Sequence, residues 1–173
     1  MTKPIYLTGF MGSGKTTFGR LLAKHLNREF IDLDHFIEQQ EGVSISQIFS
    51  DLGEDEFRKL EHKVLLSTVD KTNAVIATGG GTPCYFNNMD FMNNHGTTIY
   101  LKVNVEDLVN RLLPAKNHRP LIADKEESEL REFISRKLSE RAPYYNKAKI
   151  IADTSTRSPS DTLRIVTRAL ELH

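Results

Sequence analysis

The chain has 173 residues, with 23 Lys+Arg against 23 Asp+Glu and 39% hydrophobic residues. That length suits one domain with a sizeable core, the composition excludes a disordered chain, and the zero charge balance argues against a general nucleic-acid binder, which carries a basic excess. One cysteine, Cys84, cannot close an internal disulfide, and no apolar run is long enough to cross a bilayer, so the expectation is a cytoplasmic protein with no membrane partner.

Ile5-Tyr6-Leu7 reads as a short buried strand that ends at Gly9. From Lys15 the pattern turns helical, with Phe18, Leu21, Leu22 and Leu26 on one stripe. "EFIDLD" is a second strand, ending at Asp32 to Asp34. Helical stripes follow, one of Ile45, Ile48, Phe49 and Leu52 and another of Phe57, Leu60, Val64 and Leu65. Ala74–Thr78 is a third strand, stopped by Gly79, Gly80 and Gly81; "TTIYLKV" is a fourth and "KIIAD" a fifth. Further helical patterns cover Phe86–Asn94, Val105–Leu113, Glu126–Tyr145 and Ser160–Leu172. Strands alternating with helices predict an α/β fold with a parallel sheet covered on both faces. "PAKNHRPLIADKEE" has no periodicity and two prolines, so it is either a surface loop or an active-site lid.

"GFMGSGKT", Gly9 to Thr16, matches the phosphate-loop pattern G-x4-G-K-[ST] and falls between a strand and a helix. Glycines let backbone N–H groups turn toward phosphate oxygens, and the helix that follows presents its positive end. Gly12, Ser13, Gly14, Lys15, Thr16 and Thr17 are therefore the expected nucleotide contacts, with Lys15 reaching the β and γ phosphates and the Thr16 hydroxyl ligating magnesium. A GTPase would need N-K-x-D; the nearest stretch, "NKAK", lacks the aspartate. An ATPase aspartate at the end of a core strand is replaced by the three glycines, which suggest a close approach to the backbone or a flexible turn.

Asp32 and Asp34, two apart on a strand, point the same way. Asp32 suits a magnesium site through water, and Asp34 either accepts a hydrogen bond from a hydroxyl or caps the next helix. Arg58 and Glu61, three apart on a helix, taken alone read as a solvated pair. Arg141 lies 3, 7 and 11 residues after Leu138, Ile134 and Leu130, so it continues an apolar stripe and either meets an anion or reaches past the helix end. Arg119 falls in the lid candidate, where it could close over a transferring phosphate. Arg111 and Arg157 either frame an adenine or lie on the surface. Cys84 has no His-based activation pattern beside it and reads as a bystander rather than a nucleophile.

Taken together, "GFMGSGKTT", "DLD", "FRKLE", "TGGG", "RPL", "ERAPYY" and "DTSTRSP" resemble the shikimate kinase family nearly end to end. The resemblance implies one phosphate-loop kinase domain over residues 1–173, a three-layer fold with a five-stranded parallel sheet in the order 2-3-1-4-5, an acceptor-binding helical region at about 34–61 and a lid at about 112–126. It implies transfer of the γ-phosphate of ATP, with magnesium, to the 3-hydroxyl of shikimate. Lys15, Asp34 and Arg119 are then catalytic; Arg58 and Arg141 bind the shikimate carboxylate, with Glu61 orienting Arg58; Gly79, Gly80 and Gly81 line the same pocket, walled by Phe49 and Phe57. Thr16 and Asp32 match the magnesium site, and Arg111 and Arg157 the adenine clamp. The lid stretch "LLPAKNHRPL" departs most from the family pattern. A gluconate kinase, a nucleoside monophosphate kinase and a catalytically silent ATP-binding subunit are the rival readings, and a monomer is the expected state.

Overall fold

Strand β1 (Ile5–Thr8) lies at the centre of a five-stranded parallel sheet, in a computed structural model that describes residues 3–118 and 122–172. β3 (Ala74–Ala77) flanks it on one side and β4 (Thr97–Lys102) on the other. β2 (Glu29–Asp32) and β5 (Ile150–Asp153) form the edges, giving the order β2-β3-β1-β4-β5 that the resemblance implies. β1 and β3 are buried along their whole length, as strands covered on both faces must be.

Alternation within β1 distributes the core. Tyr6 faces one layer, where α2 (Leu33–Glu41), α3 (Ile45–Ser67) and α4 (Asn88–His95) bring Leu33, Ile37, Phe57 and Met92 together. Ile5 and Leu7 face the other, where α1 (Lys15–Leu26) and α7 (Pro159–Leu170) supply Phe18, Leu22 and Val166. Gly19 lets α1 lie close to the sheet: a β-carbon there would run into the ring of Phe30 and approach Leu7 Cδ1 to 3.0 Å. α5 (Val105–Leu112) and α6 (Glu127–Tyr145) build a third cluster around Phe10, Leu108, Leu130 and Ile134. That cluster continues the stripe that ends in Arg141.

Three expectations need correction. The second strand stops at Asp32, the early end of its expected range, and α2 begins at once with Leu33, so Asp32 and Asp34 are not two-apart neighbours on one strand. Asp32 itself caps that helix, accepting from His35 N, so Asp34 is a first-turn helical residue and not the cap. Second, α3 is interrupted at Gly53 (φ 79°, ψ 173°), a backbone that L side chains rarely adopt. The stripe expected through Leu52 does not hold, and Leu52 is 58% exposed. Third, the helix expected from Phe86 begins at Asn88, because Phe86 and Asn87 have φ of 49° and 57° after a short 3-10 turn at Thr82–Cys84.

Candidate active site

Backbone register brings the ends of three strands level, since Asp32 pairs with Ala77 and Ala77 with Leu7. Ligands in open α/β sheets bind outside such carboxyl ends. The phosphate loop leaves β1 here. Gly9, Gly12 and Gly14 have φ of 146°, 79° and 91°, which turns the loop around an open centre. There is no room for larger residues at two of them: a β-carbon on Gly9 would lie 2.9 Å from the Leu101 carbonyl oxygen, and one on Gly12 2.9 Å from Leu112 Cδ2.

Lys15 Nζ donates to the carbonyl oxygens of Gly9 (2.8 Å) and Phe10 (2.9 Å), which ties its charge across the loop. Thr16 Oγ1 donates to Asp32 Oδ2 at 2.9 Å, so a hydroxyl and a carboxylate from two elements meet where the resemblance places magnesium. Magnesium is commonly held by one or two protein oxygens plus phosphate and water. The hydroxyl of Thr16 and the carboxylate of Asp32 are hard oxygen donors of the kind that mode uses. Ser13 Oγ is a buried oxygen with no hydrogen-bond partner among the described residues, inside a loop whose chemistry calls for an anion.

Two cavities run from this loop. One, of about 350 Å³, includes Lys15, Thr16, Asp32, Asp34, Gly79 and Gly80 in its lining. The other, of about 250 Å³, passes from Gly12, Ser13, Gly14 and Thr17 to Arg111 and Arg157. Arg111 makes long contacts of 3.4–3.5 Å to the Gly12 and Ser13 carbonyls and a 3.4 Å contact to Thr154 O, and Arg157 donates to Asp153 O at 2.7 Å. Both arginines are exposed side chains set at one mouth, as an adenine clamp requires.

A third cavity, of about 200 Å³, lies on the far side of Asp34. Its floor is the glycine end of β3, and the glycines are required by space rather than by φ, since none has a positive φ. A β-carbon on Gly79 would come within 2.9 Å of Glu61 Oε1 and 3.2 Å of Asp34 Oδ1. One on Gly80 would lie 3.2 Å from Arg141 Nη1, and one on Gly81 2.5 Å from Arg58 Nη2. Each glycine makes room for a charged side chain named from the sequence.

Arg58 and Glu61 are not the solvated pair their spacing suggests. They are 8% and 0% exposed, and Arg58 Nη1 donates to Glu61 Oε2 at 2.8 Å. The other Glu61 oxygen accepts from Thr82 Oγ1 at 2.5 Å, Asn88 Nδ2 holds the Thr82 carbonyl at 2.8 Å, and His62 Nδ1 bonds Asn88 Oδ1 at 2.6 Å. A buried carboxylate with both oxygens satisfied fixes the guanidinium; removing one partner of such a pair typically costs about 3–5 kcal/mol. Arg141 lies over the Phe10 ring at 5.3 Å and lines the third cavity rather than reaching past its helix end. One turn on, Tyr145 Oη donates to Gly80 O at 2.5 Å and anchors α6 to the floor. Phe49 and Phe57, tilted by 35° with ring centroids 4.4 Å apart, form one wall.

Asp34 lines both the phosphate-side cavity and this third one. Burial, then the negative charges of Glu61 and Asp32, push its carboxyl from 3.8 up to about 6, against the pull of Lys15. Burial pushes the Cys84 thiol up to about 11 although Arg141 and Arg58 oppose this, which favours the protonated, unreactive form at neutral pH. Arg119 lies outside the described residues. Sequence reasoning missed Thr82, Asn88, Tyr145 and Glu54, whose Oε1 accepts from Arg58 Nε and Nη2. Tyr145 and Glu54 each stand one helical turn from a named arginine, a usable signal; Thr82 lies in a 3-10 turn and Asn88 opens α4, and no local pattern announced either contact.

Comparison with known proteins bears on the family and the fold. The family model described as "Shikimate kinase" matches residues 11–171. The shikimate kinase of Parabacteroides distasonis is 44% identical over 168 residues, 97% of each chain. The crystal structure of shikimate kinase from Bacteroides thetaiotaomicron superposes with a TM-score of 0.92 at 40% identity, over 98% of both chains. That of shikimate kinase from Acinetobacter baumannii in complex with shikimate does so at 0.86 and 36% identity, over 99% of this chain and 94% of the other.

The environment of Asp34 carries a cost that can be measured. Above pH about 6 the carboxylate is charged in both states, and folding must bury that charge. As pH falls through about 6 the folded protein takes up the proton first, and the cost shrinks until the unfolded chain is protonated too, near 3.8. Asp34→Asn is therefore expected to raise Tm at pH 8, with the gain declining between pH 6 and 4. A gain equal at pH 8 and pH 4, or a loss at pH 8, would contradict the burial argument.

Proposed function

The chain belongs to the shikimate kinase family, and from that premise we propose how its own side chains transfer the γ-phosphate of ATP to the 3-hydroxyl of shikimate. The protein is an ATP-dependent small-molecule kinase that works with magnesium, and the gluconate, nucleotide and silent-subunit alternatives fall away with that membership. The observation that carries the residue assignments is the position of Asp34, the carboxylate common to the phosphate-side cavity and the acceptor cavity.

Shikimate occupies the cavity floored by Gly79, Gly80 and Gly81. Its carboxylate meets Arg58 and Arg141, two guanidiniums that offer paired N–H groups to a planar anion. Its ring rests on the wall of Phe49 and Phe57, and its 3-hydroxyl lies at Asp34. On the other side the loop N–H groups and Lys15 hold the ATP phosphates, Thr17 lies under the nucleotide, and Arg111 with Arg157 frames the adenine. Thr16 would hold magnesium directly and Asp32 through water, and the metal, when bound, would supply positive charge against the phosphates.

The hydroxyl oxygen forms its bond to γ-phosphorus as the bond to the β–γ bridging oxygen breaks, and the hydroxyl proton passes to Asp34. Lys15 and Arg119 balance the charge on the transferring group. Transition states of this kind are largely dissociative, so holding the two reactants in line contributes more than base strength. A carboxyl titrating near 6 is ionised at neutral pH and still basic enough to take the proton. We assign residues 1–173 to one domain, with the acceptor region at about 34–61 and a lid at about 112–126. The zero net charge supports a protein without a nucleic-acid partner. Among the described residues no helix is long and apolar enough to cross a membrane. A cytoplasmic monomer is the reading adopted.

The two sides of Asp34 separate in one set of assays. Asp34→Asn is expected to lower turnover by about 10²-fold or more, the scale of general-base contributions. Arg141→Lys is expected to weaken shikimate binding by about 1.5–3 kcal/mol, the value of a charged hydrogen bond. Neither should change ATP affinity. Collapse of ATP binding in Asp34→Asn, or normal shikimate binding in Arg141→Lys, would move these residues out of their roles.

A further inference from the structure

A guanidinium donates only in its own plane, and the faces of Arg58 are lined by aromatic rings, Tyr85 at 4.4 Å and Phe57 at 5.2 Å. An incoming carboxylate must therefore arrive at an edge. Two edges present paired N–H groups. One contains Nη1, which bonds the buried Glu61 at 2.8 Å. The other, Nε with Nη2, is already held by Glu54.

That second contact differs from the first in every physical respect. Nε and Nη2 reach one oxygen, Glu54 Oε1, at 3.3 and 3.2 Å, long for charge-assisted bonds. The Glu54 side chain is 54% exposed, against 1% for Glu61. Tyr85 Oη donates to the same oxygen at 3.1 Å, and this hydroxyl lies on the surface. Glu54 also follows Gly53, whose φ of 79° breaks α3 and around which a β-carbon would meet nothing within 4 Å. Ile45 and Phe49 of the acceptor cavity lie before this break, and Phe57 and Arg58 after it.

We propose that Glu54 is a resident stand-in for the acceptor's carboxylate: it occupies the Nε–Nη2 edge of Arg58, and the acceptor displaces it on binding. Glu61 is the permanent partner that aims the guanidinium; Glu54 is the exchangeable one. Displacement releases the segment at Gly53, which links arrival of the acceptor to the setting of the Phe49 wall. Like charge then works against any state in which both carboxylates crowd Arg58, so Glu54 acts as an internal competitor that lowers acceptor affinity and discriminates against anions too weakly bound to displace it. The inference rests on the reading that Arg58 receives the shikimate carboxylate.

The test is calorimetric titration of shikimate into the full chain for wild type, Glu54→Gln, Glu54→Ala, Tyr85→Phe and Arg58→Lys. Exposed ion pairs are worth little, so the competitor's removal is expected to tighten shikimate binding about two- to fivefold in both Glu54 variants. Tyr85→Phe keeps the ring over Arg58 and removes the hydroxyl that steadies Glu54, so a smaller tightening is expected there. The gain should vanish for an analogue carrying an uncharged amide in place of the carboxylate. If both Glu54 variants bind shikimate more weakly than wild type, Glu54 orients Arg58 and the proposal is overturned; unchanged affinity overturns it as well. Arg58→Lys separates the two levels: weakened binding there keeps the underlying reading whatever Glu54 does, whereas wild-type affinity defeats both.

Discussion

Everything in the acceptor half of this site depends on the absence of side chains at the end of β3. Gly79 and Gly81 stand where β-carbons would collide with Glu61 and Arg58, and Gly80 where one would crowd Arg141. A strand end is the natural place for a ligand in a parallel sheet, but an ordinary strand end would fill it. Here the backbone is bare, and charged groups from α2, α3 and α6 converge on it. The φ values of the three glycines show that this is a demand for space, not for an unusual backbone.

That convergence sets the electrostatics. Glu61 is fully buried, satisfied by Arg58 on one oxygen and Thr82 on the other. Its negative charge does two jobs at once: it holds Arg58 in place, and, with burial and Asp32, it pushes Asp34 up to about 6. An acceptor site with two arginines thus sits against a carboxylate that is easily protonated for an aspartate. Lys15 and the Thr16–Asp32 pair face the same carboxylate from the phosphate side. One side chain, Asp34, is the partition between two cavities of opposite task, and the fold places it there because β2 ends one residue before α2 begins.

The order of strands, the phosphate loop and the grouping of apolar residues into layers were legible because each follows from short-range pattern: alternation in β1, a 3.6-residue stripe in α1, glycines at fixed offsets. The shikimate assignment needed the resemblance; spacing alone left Asp34 between a hydroxyl and a cap, and Arg141 between an anion and the helix end. Asp32 and Asp34 were read as two-apart neighbours on one strand, but the strand ends at Asp32, the early end of the expected range, Asp34 is already helical, and the cap belongs to Asp32. The burial of Arg58 and Glu61 was illegible, because an i, i+3 pair looks the same on a wet helix face. It is Thr82, in the turn after β3, and Asn88, the first residue of α4, that complete the buried network around the pair. The break at Gly53 could have been suspected from a glycine between two stripes, and Leu52 was misplaced because the stripe was carried up to it.

The most direct measurement is shikimate and ATP affinity in Gly81→Ala. The added methyl would lie 2.5 Å from Arg58 Nη2 and 2.8 Å from its Cζ, atoms at the far end of a flexible side chain. The fold can therefore survive while the guanidinium is pushed off its aim. The account predicts a folded protein whose ATP affinity is near wild type and whose shikimate affinity falls by roughly tenfold or more, the scale of one lost charged hydrogen bond. Wild-type shikimate affinity in a folded Gly81→Ala protein would contradict it, because the bare strand end would then not be what positions Arg58.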